Sequence, residues 1–488
     1  MDIKTPVSIR PSTNDLWFFA YLPLAITDGI ATPLIPLLAL VEFDPNAFGV
    51  TIIVAASAMS QVPFTILWGN LSDRVAHRKY FLVGSFLATG ITVILIALAH
   101  NLISYFWLNV AEGLASAASA PIGTMLLLET RHKRWWPEDI GLFGLISGVG
   151  TTAGLVIGIV WLFVLQAGAS QLVPTMIGLL ILAGALAILA GLIAWVWIDE
   201  PVVRLERRSL GDLLDLHRGV VERIRHFRTR VLNVLDLTRG APERLPRREI
   251  LFLLALAVLN IGFDIFYGPF PVFLWQTAGF SDAGVFIAYL AASAASTSLF
   301  VWSGRAVELH SPKNVFLGSL GGRVLLILLF IWGPAYVLFG LGSPLLLAWV
   351  GLLNALMGVT WAFLSTASTL FLVRLVGRTS RGRALGLYNA IAGAGGLLGT
   401  LLGGWMFVTY GVTFAYSTAA LTVLLGSVLL LPIPYHMFLV PHTSGWRHLR
   451  GSRAITPGGR WGRRPPPKRF TPPASPGSDG GTIPRGPR

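Results

Sequence analysis

Asp28, Glu112 and Asp264 each stand near the middle of a long apolar run. An ionised carboxylate is costly in hydrocarbon, so acids at such depth face water or a partner and are functional candidates by default. The chemistry open to them is reversible proton binding or contact with a cationic solute. The structural alternative is a carboxyl group hydrogen-bonded to neighbouring Ser, Thr or Asn. Their surroundings are polar at helical spacing. Asn109, Glu112, Ser116 and Ser119 share one face, and Asn260, Asp264 and Tyr267 another. A third carries Asn354, Trp361, Ser365 and Ser368. Tyr267 and Trp361 offer ring faces to a cation, or simply pack. Together these faces describe a polar, partly aromatic, net acidic cavity. One base, Arg323, also lies inside an apolar run. It is within ~15 Å of the charged end of its run at 1.5 Å per residue, so it is expected to snorkel to that end.

The elements that position these residues are membrane spans. Of the 488 residues, 54% are hydrophobic and 12% charged, against roughly 25% charged in soluble domains. Twelve runs are long enough for the ~20 residues that cross hydrocarbon. They cover residues 16–40, 50–68, 80–98, 103–128, 140–165, 173–198, 250–275, 283–302, 315–332, 345–373, 384–407 and 412–431. They are numbered spans 1 to 12 here, and helices are the form that satisfies their backbone. Of 37 Lys and Arg, 36 fall in the N-terminus, the C-terminal tail and the loops after spans 2, 4, 6, 8 and 10; the intervening loops hold none. Cationic residues stay on the cytoplasmic side during insertion, which predicts cytoplasmic termini in a multi-pass protein of the cell membrane.

The net charge of +14 is confined to that one face. It is therefore read as topology plus contact with anionic headgroups, with no nucleic-acid partner. Cysteine is absent, which removes disulfides, thiol catalysis and thiolate metal sites. The first apolar run is long enough to span and is not read as a cleavable signal. Residues 1–13 form a short N-terminus and 14–198 a first six-helix bundle. A basic loop follows at 199–249, where apolar positions such as Leu210, Leu214, Val221, Ile224 and Val231 recur at helical spacing. A basic amphipathic helix on the headgroups and a solvated linker helix are both open there. Residues 250–438 form a second six-helix bundle. The tail at 439–488, rich in Pro, Gly and Arg, is expected to be disordered.

The two bundles repeat each other. Gly69 is followed at four residues by Asp73 and then by Arg74, Arg78 and Lys79; Gly304 is followed at four residues by Glu308 and later Lys313. Gly69 and Gly304 are 235 residues apart, as are Pro36 and Pro271. Gly150, Gly154 and Gly158 of span 5 recur 245 residues later as Gly395, Gly399 and Gly403 of span 11, and Asn109 recurs as Asn354. Two homologous six-helix halves are the layout of secondary transporters that rock about a central site.

The stretch Gly69–Lys79 resembles the signature loop between helices 2 and 3 of the major facilitator superfamily, and the likeness extends over about residues 14–438. The resemblance implies an all-α fold of twelve helices in two pseudo-symmetric bundles, with helices 1, 4, 7 and 10 lining the cavity. All three acids fall on that set. It also implies a cytoplasmic gate: Gly69 for close approach of helices 2 and 11, Asp73 against the start of helix 11, and Arg74, Arg78 and Lys79 completing a charge network. Gly304 and Glu308 stand at the repeated positions. His77 departs from the usual glycine. The span 5 glycines resemble the family's exporter motif without its Gly-Pro pair; close helix packing is the plainer reading. Asn109 stands where an Arg is usual.

These features point to a secondary transporter of a small neutral or cationic organic solute, driven by protons and working as a monomer. Export by antiport is the first reading, and uptake of a sugar or other metabolite by symport the second. A transporter-derived membrane sensor would be favoured by loss of the intramembrane acids, which are present. No HExxH, aspartate pair or Ser/Lys dyad suggests a membrane enzyme, and no GxxxxGK[ST] motif suggests ATP drive. No cofactor or metal is implied.

Overall fold

A computed structural model describes residues 15–43, 46–75, 78–130, 136–165, 172–198, 247–310, 312–375 and 381–432. The amphipathic segment expected within 199–249 and the tail at 439–488 lie outside the described residues, apart from the first helical turn of span 7. The described chain is almost wholly helical. Span 1 is a 3₁₀ lead, Asp15–Ala20, running into Tyr21–Phe43; spans 2 and 3 are Ala47–Val75 and Arg78–Ala97. Spans 5 and 6 are Trp136–Leu165 and Leu172–Trp197. Spans 8 to 12 are Asp282–Leu309, Pro312–Phe330, Pro344–Leu375, Arg381–Tyr410 and Val412–Leu430. Large apolar side chains such as Phe163, Val196 and Leu421 are exposed on the outer surfaces, where hydrocarbon replaces water as solvent.

Two spans are interrupted. Among the described residues, eleven helices are long and apolar enough to cross a membrane. The remaining expected span, 103–128, is split into Leu102–Ser116 and Ser119–Thr130. Pro121 explains the break: it has no N–H for the carbonyl of residue 117, and its ring crowds that carbonyl. Neighbouring hydroxyls take up the backbone around the gap. Thr65 donates to the Ala117 carbonyl at 3.3 Å and Ser85 to that of Ala115 at 2.6 Å. Tyr21 donates to that of Ser119 at 3.0 Å. Such compensation is what allows a helix to break at membrane depth. Span 7 runs as Arg247–Tyr267, breaks at Gly268 and Pro269, and resumes as Phe270–Val272 and a π-helical turn, Phe273–Thr277.

The glycine contacts carry the repeat into three dimensions. A Cβ at Gly150 would stand 2.8 Å from the Leu22 carbonyl, and one at Gly395 2.8 Å from that of Ala257. Gly154 presses on the Ile26 carbonyl and Gly399 on that of Ile261. Gly113 lies on the Ser57 carbonyl and Gly358 on that of Ala292. Every partner pair (22 and 257, 26 and 261, 57 and 292) is 235 residues apart, while every glycine pair is 245 apart. Spans 5 and 1 therefore meet as spans 11 and 7 do, and spans 4 and 2 as spans 10 and 8 do. Gly158 and Gly403 break the pattern: the first meets Phe286 of span 8, in the other half, and the second the Ile265 carbonyl.

The apolar core is divided by depth. The first half's residues toward the end away from the basic loops, such as Leu34, Val93, Tyr105, Leu162 and Leu179, share one cluster with the second half. Its residues toward the basic end, including Leu24, Phe86, Leu126 and Ala190, form a separate cluster. The halves are thus sealed together at the end away from the basic loops. There Gly158 meets Phe286, and Gly404 of span 11 meets Thr51 of span 2. Spans 11 and 12 are joined through Gly411 at φ 85°, a left-handed turn that glycine adopts without strain.

Candidate functional site

Between the halves lies a cavity of about 530 Å³. Its walls come from spans 1, 5, 7, 8, 9 and 10. Of the residues expected to line it, Asn260, Asp264, Tyr267 and Trp361 do so. Asp264 owes its place to span 11: a Cβ at Gly396 would stand 2.7 Å from Asp264 Oδ2 and one at Gly399 3.0 Å from its Cβ. Glycine there leaves room for the carboxylate. Asn260 turns its amide to the Leu256 carbonyl, donating at 2.8 Å.

The cavity also holds a base, which corrects the expectation for Arg323. Its side chain does not snorkel: it is 2% exposed and lines the cavity. The guanidinium carbon lies 4.6 Å from the Phe263 ring centroid, 5.2 Å from that of Trp361 and 5.7 Å from that of Tyr267. Nε donates to Thr360 Oγ1 at 3.3 Å, and the Tyr267 hydroxyl is within hydrogen-bonding range. The physical reason is the aromatic shell. Three ring faces and a hydroxyl stabilise a weakly hydrated guanidinium inside the bundle, so it need not reach for headgroups. Gly322 brings span 9 close to the Thr360 methyl on span 10, where a Cβ would stand at 3.2 Å. The cavity is therefore not net acidic: its charged lining residues are Asp264 and Arg323.

Asp28 and Glu112 form a second group, outside the lining of this cavity. Glu112 is half-buried and within hydrogen-bonding range of the Ser57 and Ser116 hydroxyls, close enough to Asp28 for the two charges to interact. It sits one turn before the break in span 4. Asp28 is exposed even though it lies inside span 1, and its neighbours Gly29 and Thr32 line the cavity. Thr32 donates to the Asp28 carbonyl at 2.7 Å. No base on the described residues makes an ion pair with either acid.

Asn109 and Asn354 are not in the cavity lining, contrary to expectation. They are 2% and 1% exposed. Asn109 donates to the Tyr105 carbonyl at 2.8 Å, and Asn354 Nδ2 has no hydrogen-bond partner among the described residues. Both lie toward the end where the halves are sealed, beyond the reach of the cavity. Of the expected gate, the side chains of Gly69, Asp73, Arg74 and Glu308 lie outside the described residues. Arg78 is buried, Lys79 Nζ is 5.4 Å from the Trp195 ring centroid, and no described residue lies within 4 Å of a Cβ built at Gly304.

A hydroxyl seam not singled out from the sequence joins the halves across the cavity wall. Thr152 of span 5 lies 2.9 Å from Ser293 Oγ and 3.4 Å from Thr297 Oγ1 of span 8. Its signal was available: Ser147, Thr151 and Thr152 sit among the span 5 glycines.

No curated protein sequence matches the chain. Among solved structures, the chain is similar to the nucleoside transporter NupG, with 16% identity and a TM-score of 0.58 over 87% of this chain and 98% of that one. It is similar to the human organic anion transporter MFSD10 (TETRAN), with 15% identity and a TM-score of 0.59 over 85% and 97%. It is also similar to a D-xylose-proton symporter, with 13% identity and a TM-score of 0.60 over 86% and 96%. At such identities the likeness is one of fold, and the three names differ in solute. The sequence model of the Major Facilitator Superfamily matches residues 17–347. That match covers more than half of a helical chain with a cavity between two repeated bundles, and the chain belongs to the Major Facilitator Superfamily.

Proposed function

We propose that this transporter moves a small organic solute by alternating access and couples the movement to protons at Glu112 and Asp28. The observation that carries the reading is the pair itself: two acids in the membrane region, close enough for their charges to interact, with hydroxyls and no base beside them. Two like charges so placed favour holding a proton on one of them, and releasing it to one side only is what coupling requires. Export in exchange for protons is the first reading. Uptake with protons is the second, and it gains from Arg323, because a charge-balanced lining no longer selects for a cation. The reading extends to a monomer in the cell membrane with cytoplasmic termini, a basic face on anionic headgroups, and a gate of Asp73 with Arg74, Arg78 and Lys79. The test is flux into proteoliposomes under an imposed pH gradient. Glu112→Gln mimics the protonated acid and is expected to abolish gradient-driven flux while leaving solute exchange intact. Full gradient-driven flux in the Glu112→Gln/Asp28→Asn double variant would remove the pair from this role.

A further inference from the structure

Arg323 and Asp264 face one cavity as opposite charges that do not close on each other. Each feels the other's charge, yet no ion pair joins them among the described residues. A guanidinium carries five N–H donors. Here Nε is given to Thr360 and one further contact is with the Tyr267 hydroxyl. The rings of Phe263, Trp361 and Tyr267 surround the group, and its remaining N–H donors have no hydrogen-bond partner among the described residues. The Asp264 carboxylate is given room by Gly396 and accepts no hydrogen bond among the described residues. Arg323 is buried and Asp264 half-buried; charges so placed without full partners are costly, and both line the same space of about 530 Å³, within the size range of small-molecule sites.

We infer that the cavity is built for a zwitterionic solute, whose carboxylate or similar oxyanion meets Arg323 and whose ammonium meets Asp264. This rests on the transporter reading above. A solute with a single charge would satisfy one wall and be repelled by the other, and an uncharged polar one would meet both only through weaker neutral hydrogen bonds, so the arrangement favours a zwitterion. A planar guanidinium with spare edge donors suits a carboxylate bound through two hydrogen bonds. The aromatic surround lowers the polarity around Arg323, which strengthens its contact with an oxyanion.

The test is equilibrium binding to the purified full-length protein, with no pH gradient. The probes are α-amino acids, ω-amino acids and betaines, each beside its acid-only and amine-only counterpart, read by the shift in unfolding temperature and by calorimetric Kd. At least one zwitterion is expected to bind, with each singly charged counterpart weaker by roughly tenfold to a hundredfold. Arg323→Gln should invert the preference toward the amine-only probe, and Asp264→Asn toward the acid-only probe; a purely structural role predicts no inversion. If Arg323→Gln does not fold, Asp264→Asn carries the same comparison alone. Three outcomes overturn the inference: no zwitterion binds, a singly charged or uncharged probe binds tighter, or a folded variant keeps the wild-type order. Binding without a gradient does not depend on Glu112, so failure of the coupling proposal and failure of this one are separable.

Discussion

The two halves share a packing plan and differ in their charges. Gly113 and Gly358 press on equivalent carbonyls, as do Gly154 and Gly399. At the equivalent positions for the acids, however, Glu112 faces Met357 in the repeat, Asp28 faces Phe263, and Asp264 faces Gly29. The first half carries two acids and hydroxyls. The second carries one acid, one base and a set of rings. Duplicated backbones must meet in the same way for both bundles to form, so contacts between helices are held in register. Residues that do chemistry are released from that register, and a departure from the repeat is therefore a guide to function in this molecule.

The sharpest way to break the comparison is to neutralise each half in turn. Glu112→Gln is expected to abolish gradient-driven flux while solute exchange persists. Asp264→Asn is expected to lower exchange and driven flux together. Loss of both activities in both variants, measured in the same proteoliposomes, would mean the halves do not divide these tasks.

The packing half of the comparison is tested by matched glycines. Gly154→Ala and Gly399→Ala each place a methyl group against a backbone carbonyl that cannot yield cheaply. Each should lower stability by ~1–3 kcal/mol, read as a fall in unfolding temperature, and by similar amounts if the repeat governs packing. Gly318→Ala and Gly321→Ala, where nothing lies within 4 Å, should be neutral or slightly stabilising. A smaller effect is expected from Pro121→Ala. Restoring the donor for the Ala117 carbonyl should change stability by less than ~1 kcal/mol. It should nonetheless slow transport by stiffening span 4 beside Glu112, and unchanged turnover would show that the break is passive.

Much of this architecture was readable from residue order. Apolar runs, the placement of cations and the 235- and 245-residue offsets depend on composition and spacing, which a sequence carries directly. The break at Pro121 was missed, because the run around it is apolar on both sides and reads as continuous. The direction of Arg323 was not readable. Apart from Ser319 one turn away, span 9 offers no polar stripe to report which way residue 323 turns, and the rings that hold it come from spans 7 and 10. The depth of the cavity was equally hidden. Asn109 and Asn354 share their faces with Glu112 and Trp361, but where the halves close along those faces is decided by contacts between distant segments such as Gly158 with Phe286 and Gly404 with Thr51.

The apolar cluster that crosses from one half to the other has a thermal consequence. Alternating access requires that cluster to part, wetting side chains such as Phe286 and Leu162. Hydrating apolar surface raises the heat capacity, so the equilibrium between the two openings should curve with temperature. Because hydrophobic association weakens on cooling, cold should shift the population toward the form opened at the end away from the basic loops. A plot of the logarithm of that population ratio against inverse temperature should bend, and its curvature would measure how much of the seal is lost in each cycle.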